Sequence, residues 1–354
     1  MNVKDSKSYD NHESVSFCDD PDTGLKAIIA VHNTNLGPAV GGCRMFPYAN
    51  EAHALEDVLR LSRGMTYKSA LAGLPMGGGK AVIIGDPASA KSPELLKRMG
   101  QFIESLEGRY VTAEDSGMSV ADLKVVGTQT EHVLGVNDAQ EFGGDPSPLT
   151  AYGIFFGIKA AVAYQLAKPE LDGVKVAVQG AGAVGRHLIE MLHQAGASTL
   201  VCDINQDNLR KAQKLGSAVV GVDEIMTAEA DVFAPCAMGA ILNDQSIPSL
   251  AASIVAGGAN NQLESLSHAA MLMERGVLYA PDFVINAGGI IEVCRQYQDT
   301  SMQECRKQIE GIGNTLIKLF ERSAETGRST AEVAEDLAQE RFSDNKTNGV
   351  SSAA

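Results

Sequence analysis

The sequence predicts an α/β protein of two domains. The chain has 354 residues, and at about 150 residues per domain this length corresponds to roughly two domains. Short β-rich runs alternate with helical stretches along most of the chain, and a glycine-rich turn joins a strand to a helix in its second half. Such alternation is typical of a sheet covered by helices.

Composition and charge exclude several classes of protein. Hydrophobic residues make up 44% of the chain and charged residues 21%, as in an ordinary globular protein. The net charge of −15 disfavours nucleic acid and anionic membranes as partners. We find no apolar run long enough to predict a transmembrane helix and no secretory signal at the polar N-terminus. The six cysteines show no C-x-x-C pairing, so we expect reduced thiols in a cytoplasmic protein and assign no metal site.

The first part of the chain is expected to alternate strands and helices after a frayed, polar segment that ends near residue 16. A loop is predicted around Gly37, Gly41 and Gly42. The other predicted elements are strands at 26–32, 80–84 and 110–113, and helices at 51–65, 93–107 and 122–127.

The second part is predicted to form a doubly wound parallel sheet. Pro146 and Pro148 punctuate the chain, and an apolar helix is predicted at 150–165. Strands are predicted at 174–180, 198–203, 218–220, 231–234, 253–256 and 277–279, with a helix at 184–195. Strands at this spacing, separated by helical stretches, favour such a sheet. A helical stretch from 301 to 342 and a polar tail complete the chain.

The turn Gly180-Ala181-Gly182-Ala183-Val184-Gly185 has the pattern G-x-G-x-x-G. It follows an apolar strand and opens an apolar helix, which is the context that a dinucleotide-binding motif requires. The first glycine permits the tight turn, the second lets the backbone approach a pyrophosphate, and the third allows close helix–strand packing. Asp203 ends the next strand, where a carboxylate would bind a ribose hydroxyl and repel a 2′-phosphate. We therefore predict a Rossmann-like domain that prefers NAD to NADP, although Arg210 lies close enough to accept a phosphate. A glycine-rich turn without a ligand is the alternative.

Lys80 follows three glycines, and this position indicates a special role. A phosphate-binding P-loop fails on spacing, because position 74 is Leu and position 81 is Ala. We interpret the glycines as a backbone path that brings the amine close to a substrate, and partial burial would lower its pKa so that it could act as a neutral base. Lys68 could bind a substrate carboxylate and lower the pKa of Lys80 further, and Glu114 or Asp115 could carry a proton. The alternative for each residue is a solvated surface charge.

These residues together resemble the family of glutamate, leucine, phenylalanine and valine dehydrogenases. The resemblance covers nearly the whole chain, and the length and short termini are most like the leucine-specific members. The motifs that carry it are Leu36-Gly37-Pro38, Gly41-Gly42-x-Arg44, Met65-Thr66-Tyr67-Lys68, Gly77-Gly78-Gly79-Lys80, Thr112-Ala113-Glu114-Asp115, Pro146-Ser147-Pro148-x-Thr150-Ala151-Tyr152-Gly153, the nucleotide fingerprint, Ala259-Asn260-Asn261-Gln262-Leu263 and Asn286-Ala287-Gly288-Gly289.

The resemblance implies reversible oxidative deamination of an L-amino acid to its 2-oxo acid and ammonia with NAD. Carried over by motif, Lys68 would bind the substrate carboxylate and Lys80 would be the base that activates water. Asp115 would move protons to and from the nitrogen, and Thr150 and Asn261 would orient nicotinamide and substrate.

The family fold implies two domains separated by a cleft. An N-terminal α/β catalytic domain would carry the substrate and a Rossmann-like domain would bind NAD, with C-terminal helices returning to the first domain. We place the catalytic and oligomerisation domain at residues 1–135 and 330–354 and the NAD-binding domain at 136–329, and we expect a homo-oligomer.

By the same resemblance, the substrate side chain would lie near Val40, Gly41, Ala113, Ile290 and Val293. Glutamate dehydrogenases carry a Lys at the position of Val40, so its absence argues against glutamate, whose distal carboxylate would be buried unpaired. Because the pocket is apolar and of moderate size, we expect a branched-chain aliphatic substrate, with leucine first and Ile and Val accepted. These residues could also be plain core residues.

Two departures from the family pattern lie near this region, at Ser116-Gly117-Met118-Ser119 and at Glu292. A phenylalanine or tryptophan dehydrogenase of the same family is therefore an alternative. A non-catalytic NAD-binding sensor is an alternative of another class.

Overall fold

The computed structural model describes residues 2–136, 145–237 and 239–343. The chain forms two compact units. One comprises Met1–Gly144, Gln296–Asp299 and Ala338–Ala354, and the other comprises Asp145–Arg295 and Thr300–Leu337. The domain boundaries predicted at residues 136 and 330 stay a prediction.

The first unit is a five-stranded sheet with helices on both faces. Its elements are β1 (Ser14–Asp20), β2 (Leu25–Asn33), β3 (Ala39–Phe46), α1 (Glu51–Leu71), β4 (Gly77–Ile84), α2 (Pro93–Glu104), β5 (Tyr110–Ala113) and α3 (Val120–Val126). The strand order is β1-β2-β4-β3-β5. β3 is parallel to β4 and β5, whereas β2 is antiparallel to both of its neighbours. α1 covers one face through Leu55, Val58 and Leu59, and α2 and α3 cover the other.

The N-terminal segment is more ordered than the sequence predicts. β1 begins at Ser14 and pairs with β2 along its whole length, so the expectation of a frayed segment up to residue 16 is wrong for its last residues. Its hydrophobic alternation is weak, and only Cys18 is buried. Cross-strand pairing at the sheet edge, rather than an apolar pattern, therefore orders this segment.

The glycines at positions 41 and 42 lie in a strand, and the predicted loop is wrong there. β3 runs through both of them and is paired on either side. A Cβ at Gly41 would collide with the carbonyl oxygen of Gly79, so close approach of two backbones requires glycine at this position. Strand propensity, which disfavours glycine, is overridden by that tertiary contact.

The second unit confirms the predicted doubly wound parallel sheet. Its strand order is β11-β10-β9-β6-β7-β8, and every pairing is parallel. The strands are β6 (Lys175–Gln179), β7 (Ser198–Cys202), β8 (Ala218–Val219), β9 (Val232–Pro235), β10 (Ile254–Val255) and β11 (Leu278–Tyr279). The helices are α4 (Ser147–Leu166), α5 (Ala183–Gln194), α6 (Gln206–Lys214), α7 (Ser267–Glu274), α8 (Asp282–Ile285), α9 (Gly288–Gln298) and α10 (Met302–Thr326).

α4 is long and apolar enough to cross a membrane by length and composition alone. It packs against α5, α8 and α10, and a Cβ at Gly157 would press on Ile285 and Leu316. Burial on several sides explains why this helix is apolar around most of its circumference.

The C-terminal helical stretch is divided into two helices, α10 and α11 (Thr330–Ser343), rather than one. Gly327 ends α10 with a left-handed φ of 66°, which favours glycine at the residue after a helix. Ala331 joins the core of the second unit, whereas Arg341 hydrogen-bonds to the end of α1 in the first unit.

Candidate active site

The structure brings together the two residues predicted to be catalytic. Lys80 lies in the middle of β4 and is only 5% exposed. Its Nζ forms an ion pair with Oδ2 of Asp115, which follows the end of β5. Gly42 leaves the space that this carboxylate needs, because a Cβ there would lie 2.7 Å from the Cβ of Asp115. The arrangement is a buried amine in direct contact with a carboxylate, which is suited to proton transfer.

Burial lowers the pKa of Lys80 to about 7. The positive charge of Arg44 acts in the same direction, and that of Lys68 adds a smaller effect, whereas Asp57 and Cys43 act against them. The sequence predicted the effect of Lys68 but not the larger effect of Arg44. A nearby like charge disfavours protonation of an amine, so Lys80 has an accessible neutral form near neutral pH.

Lys68 lies in the last turn of α1 and is half-buried. The helix continues to Leu71, beyond the predicted end at residue 65, and this continuation places Lys68 on the helix that covers the Lys80 face of the sheet. Its charge interacts with Lys80. Lys68 is therefore not the fully solvated charge of the alternative interpretation.

Arg44, which we did not assign to the site from the sequence, connects Asp115 to α1. Its Nη1 donates to Oδ2 of Asp57 at 2.9 Å, and its Nε and Nη2 lie 3.4 Å from Oδ1 of Asp115. Asp57 also accepts hydrogen bonds from Tyr48 at 2.6 Å and Arg60 at 3.0 Å. The signal in the sequence was the motif Gly41-Gly42-x-Arg44, to which no role was assigned.

The glycines before Lys80 are explained by protein packing rather than by access for a substrate. A Cβ at Gly78 would collide with the backbone nitrogen of Thr66 in α1, and a Cβ at Gly79 would lie 2.7 Å from the ring of Tyr110. The proposed backbone path to a substrate is therefore corrected: α1 and Tyr110 occupy that space. Gly78 lets α1 cross closely over β4, and Gly79 leaves room for the ring of Tyr110.

Three residues predicted to contact the substrate side chain lie in the first unit. Val40 is fully buried and is paired in register with Gly78 and Val111. Ala113 ends β5 beside Gly42 and is buried. The carbonyl oxygen of Gly41 accepts a 2.6 Å hydrogen bond from the hydroxyl of Tyr110. Register neighbours share a face of a sheet, so Val40 lies on the face of Gly78, which α1 covers.

In the second unit, the glycine-rich turn has the geometry that a pyrophosphate requires. Gly180 has a φ of 99°, a Cβ at Gly185 would collide with the carbonyl oxygen of Gly180, and Gly182 faces open space, since a Cβ there would meet nothing within 4 Å. Gly182 is also the N-cap of α5, which has no side-chain cap. An uncapped helix N-terminus with free space in front of it attracts an anion, so the turn formed by residues 180–185 fits NAD.

Asp203 follows β7 and is held against this turn. Its Oδ2 accepts hydrogen bonds from the backbone nitrogen of Ala181 at 2.7 Å and from Asn208 at 3.2 Å. Arg210, the residue that left NADP open as a cofactor, forms an exposed ion pair with Asp207. Ile204, next to Asp203, is 89% exposed.

The remaining predicted site residues lie in α4, in α9 and in the loop between β10 and α7. The hydroxyl of Thr150 donates to the carbonyl oxygen of Pro146 at 2.9 Å. Asn261 has a φ of 52°, and its backbone nitrogen donates to Asp282. Ile290 and Val293 are half-buried and lie one turn apart on α9. The roles of these four residues stay predictions.

Glu292, one of the two departures from the family pattern, is buried on α9. Burial raises its pKa, and the charge of Arg295 opposes that effect. The two side chains lie 3.8 Å apart. Ser119, in the other departure, forms a capping box with Asp122 at the start of α3, which gives this segment a structural role.

A lysine–carboxylate site in one unit and a glycine-rich turn on a parallel sheet in the other are the two parts of a nucleotide-dependent dehydrogenase. Residues 12–132 match the family model described as Glu/Leu/Phe/Val dehydrogenase, dimerisation domain, and residues 202–340 match Glutamate/Leucine/Phenylalanine/Valine dehydrogenase. The chain belongs to this family, and it is an NAD-dependent amino acid dehydrogenase.

Relatives with different substrates are similarly close. A leucine dehydrogenase from Thermoactinomyces intermedius is 46% identical, covering 97% of this chain and 94% of its own. An L-tryptophan dehydrogenase from Nostoc punctiforme is also 46% identical, covering 95% and 94%. The crystal structure of the L-tryptophan dehydrogenase from that organism has a TM-score of 0.84 at 44% identity and covers 95% of this chain and 97% of its own.

Proposed function

We propose that this enzyme catalyses the reversible, NAD-dependent oxidative deamination of a branched-chain aliphatic L-amino acid, with leucine preferred, to the 2-oxo acid and ammonia. The observation that carries the proposal is the buried Lys80–Asp115 pair with the charge of Lys68 nearby. A cation, a neutral base and a proton carrier are the groups that deamination of an amino acid needs.

In this proposal Lys68 binds the substrate carboxylate, and Lys80 in its neutral form removes a proton from the water that attacks the imine carbon. Asp115 passes protons to and from the substrate nitrogen, and its contact with Lys80 gives a direct path between the two groups. When bound, NAD accepts the hydride from the substrate Cα. Binding it is assigned to Thr150, the turn Gly180–Gly185 and Asp203, with Asn261 orienting the substrate.

Glutamate is disfavoured as a substrate because no spare cation lies among the pocket residues proposed in the first unit. Val40 is apolar and fully buried, and the guanidinium of Arg44 is already bonded to Asp57 and Asp115. A glutamate side chain would therefore bury its distal carboxylate without a partner, which is costly. Ala113, Ile290 and Val293 extend the proposed apolar lining.

A panel of L-amino acids, each measured with NAD and with NADP, tests the proposal. We expect the highest kcat/KM with leucine, then isoleucine and valine, and at least about tenfold lower values with phenylalanine, tryptophan and glutamate, as a pocket difference of 1 to 3 kcal/mol predicts. A higher kcat/KM for phenylalanine or tryptophan would contradict the substrate assignment and support the alternative within the family.

The variant Lys80→Ala separates catalysis from cofactor binding. We expect it to lose at least about 100-fold in turnover while NAD still binds, as measured by calorimetry. Lys26→Ala is the matched control, because Lys26 is an exposed strand lysine paired with Asp19. If the wild-type protein binds NAD but oxidises no amino acid in the panel, the alternative of a non-catalytic NAD-binding sensor is favoured.

We also expect a cytoplasmic homo-oligomer assembled through the first unit. The family model that matches residues 12–132 is described as a dimerisation domain. All six cysteines are free, and five of them are buried, as expected in a reducing compartment. Light scattering of the purified enzyme measures the number of subunits.

A further inference from the structure

The carboxylate of Asp115 is held by two cations at once. Its Oδ2 contacts Lys80, while Oδ1 faces the Nε and Nη2 atoms of Arg44 at 3.4 Å and accepts a 2.6 Å hydrogen bond from the backbone nitrogen of Ser116. A carboxylate held through both oxygens has a fixed orientation. Arg44, which contacts Oδ1, therefore determines how Oδ2 is directed toward Lys80.

Arg44 is itself held in place by α1. Its Nη1 donates to Oδ2 of Asp57 at 2.9 Å, and the Tyr48 hydroxyl donates to the same oxygen at 2.6 Å. Both partners of this ion pair are largely shielded from solvent, with side-chain exposures of 24% and 17%. Asp57 thus connects the helix that carries Lys68 to the strand that faces Asp115.

We propose that Arg44 and Asp57 form a positioning pair that orients the carboxylate of Asp115 toward Lys80 and acts on this amine through two opposite charges. The proposal rests on the roles assigned above to Lys80 and Asp115. Neither residue touches the reacting atoms in this scheme; they act through Asp115 and through their charges. It goes beyond the family motif, which gives Arg44 no role and does not include Asp57.

The charges around Lys80 determine the direction of each effect. The groups that face it are Arg44 and Cys43 from β3, Asp57 and Lys68 from α1, and Asp115 after β5. Apart from burial and the direct contact with Asp115, the charge of Arg44 lowers the pKa of Lys80 and the charge of Asp57 raises it. Removing one or the other should therefore move the protonation of Lys80 in opposite directions.

The test is the pH profile of kcat/KM for L-leucine with saturating NAD. If neutral Lys80 is the base, the profile falls on the acid side as Lys80 becomes protonated. We expect Arg44→Met to move this acid limb to higher pH by about one unit and Asp57→Asn to move it to lower pH by about one unit. Ionisation of the substrate amine is the same in every profile, so it cancels from the comparison.

Two further variants separate charge, orientation and stability. Arg44→Lys keeps the positive charge but lacks the planar fork, so we expect kcat to fall about tenfold or more while the acid limb stays near its wild-type position. Arg98→Met is the matched control, because Arg98 forms a comparable, partly buried ion pair with Asp20 elsewhere in the first unit. It should leave the limb unchanged, and thermal unfolding of each variant verifies that it is folded.

The outcomes distinguish failure of the positioning pair from failure of the proposed function. Acid limbs that stay within error of the wild type in both Arg44→Met and Asp57→Asn, or that move in the same direction, would overturn the positioning pair even though the enzyme is active. If Arg44→Met does not fold, the acid limb of Asp57→Asn and the kcat of Arg44→Lys still test the positioning pair. Wild-type protein without any amino acid oxidation would instead overturn the proposed function.

Discussion

At the scale of single residues, the site depends on placing a lysine where its charge is costly. Lys80 is surrounded by protein in the centre of a sheet, and the burial that would otherwise only destabilise the fold lowers its pKa to about 7. A base with a pKa near the operating pH combines a populated neutral form with useful basicity. The same burial explains why the pair with Asp115 is needed, since an isolated ammonium would be left without a partner.

The pH dependence of the wild-type enzyme follows from this pKa. In the proposed mechanism the neutral amine of Lys80 is the active form, and its fraction rises with pH. We therefore expect kcat/KM for leucine to rise by at least about tenfold per pH unit below about pH 7 and less steeply above it. Stopped-flow or steady-state NADH absorbance between pH 5.5 and about 9 measures the profile. A profile that is flat across pH 7 would contradict the assignment of Lys80 as the base.

We propose that the choice of cofactor also depends on one side chain, that of Asp203. Replacing Asp203 with Ser removes the carboxylate that lies against the glycine-rich turn, so we expect KM for NAD to rise about tenfold, as the loss of one strong hydrogen bond predicts. NADP should then become a usable cofactor. Asp207→Ser, which alters an exposed carboxylate nearby, should leave KM for NAD unchanged. Equal turnover of NAD and NADP by the wild type would contradict this role.

At the scale of secondary-structure elements, glycines set how closely α1 approaches the sheet. A Cβ at Gly78 in β4 would collide with the backbone of Thr66 in α1. A Cβ at Gly64, which lies two residues before Thr66 in α1, would meet nothing within 4 Å. One glycine is therefore required by packing, and the other is tolerated at a cost in helix propensity. Both positions are simply glycine in the sequence, so only the tertiary structure shows which of them is in close contact with another element.

This difference predicts opposite effects of the same substitution. Gly78→Ala should destabilise the protein by about 1 to 3 kcal/mol, because helix or strand must shift to admit the methyl group, and it should also lower activity by moving Lys80 relative to Lys68. Gly64→Ala should stabilise it by about 0.5 to 1 kcal/mol. Denaturant unfolding of both variants measures the free energies, and a stable Gly78→Ala protein would contradict the packing argument.

At the scale of the whole molecule, the chain returns to its first unit at the end. The Nη1 atom of Arg341 in α11 donates to the carbonyl oxygens of Ala70 at 3.0 Å and Leu71 at 2.8 Å. Gln339 donates to the hydroxyl of Tyr67 at 2.8 Å. The last carbonyls of a helix lack partners within it, so residues distant in sequence complete the end of α1 that carries Lys68.

Loss of this cap should affect both stability and substrate binding. We expect Arg341→Met to destabilise the protein by about 2 kcal/mol, since two hydrogen bonds from a charged donor are lost. The KM for leucine should rise while KM for NAD stays the same, because Lys68 lies in the affected turn. Arg328→Met, which removes an exposed ion pair with Asp336, is the control and should leave the melting temperature unchanged. An unchanged KM for leucine in Arg341→Met would contradict the link to Lys68.

The sequence by itself determined the parallel sheet of the second unit, its glycine-rich turn with Asp203, and the assignment of Lys68, Lys80 and Asp115 as candidates. These features are encoded locally, in strand–turn–helix patterns and in short motifs whose order along the chain can be read directly. Only the tertiary structure decided that Gly41 and Gly42 belong to a strand, that α1 fills the space above Gly78, and that Arg44 and Asp57 join the site. Each of these depends on contacts between segments far apart in the chain, where backbone approach and burial override local propensity.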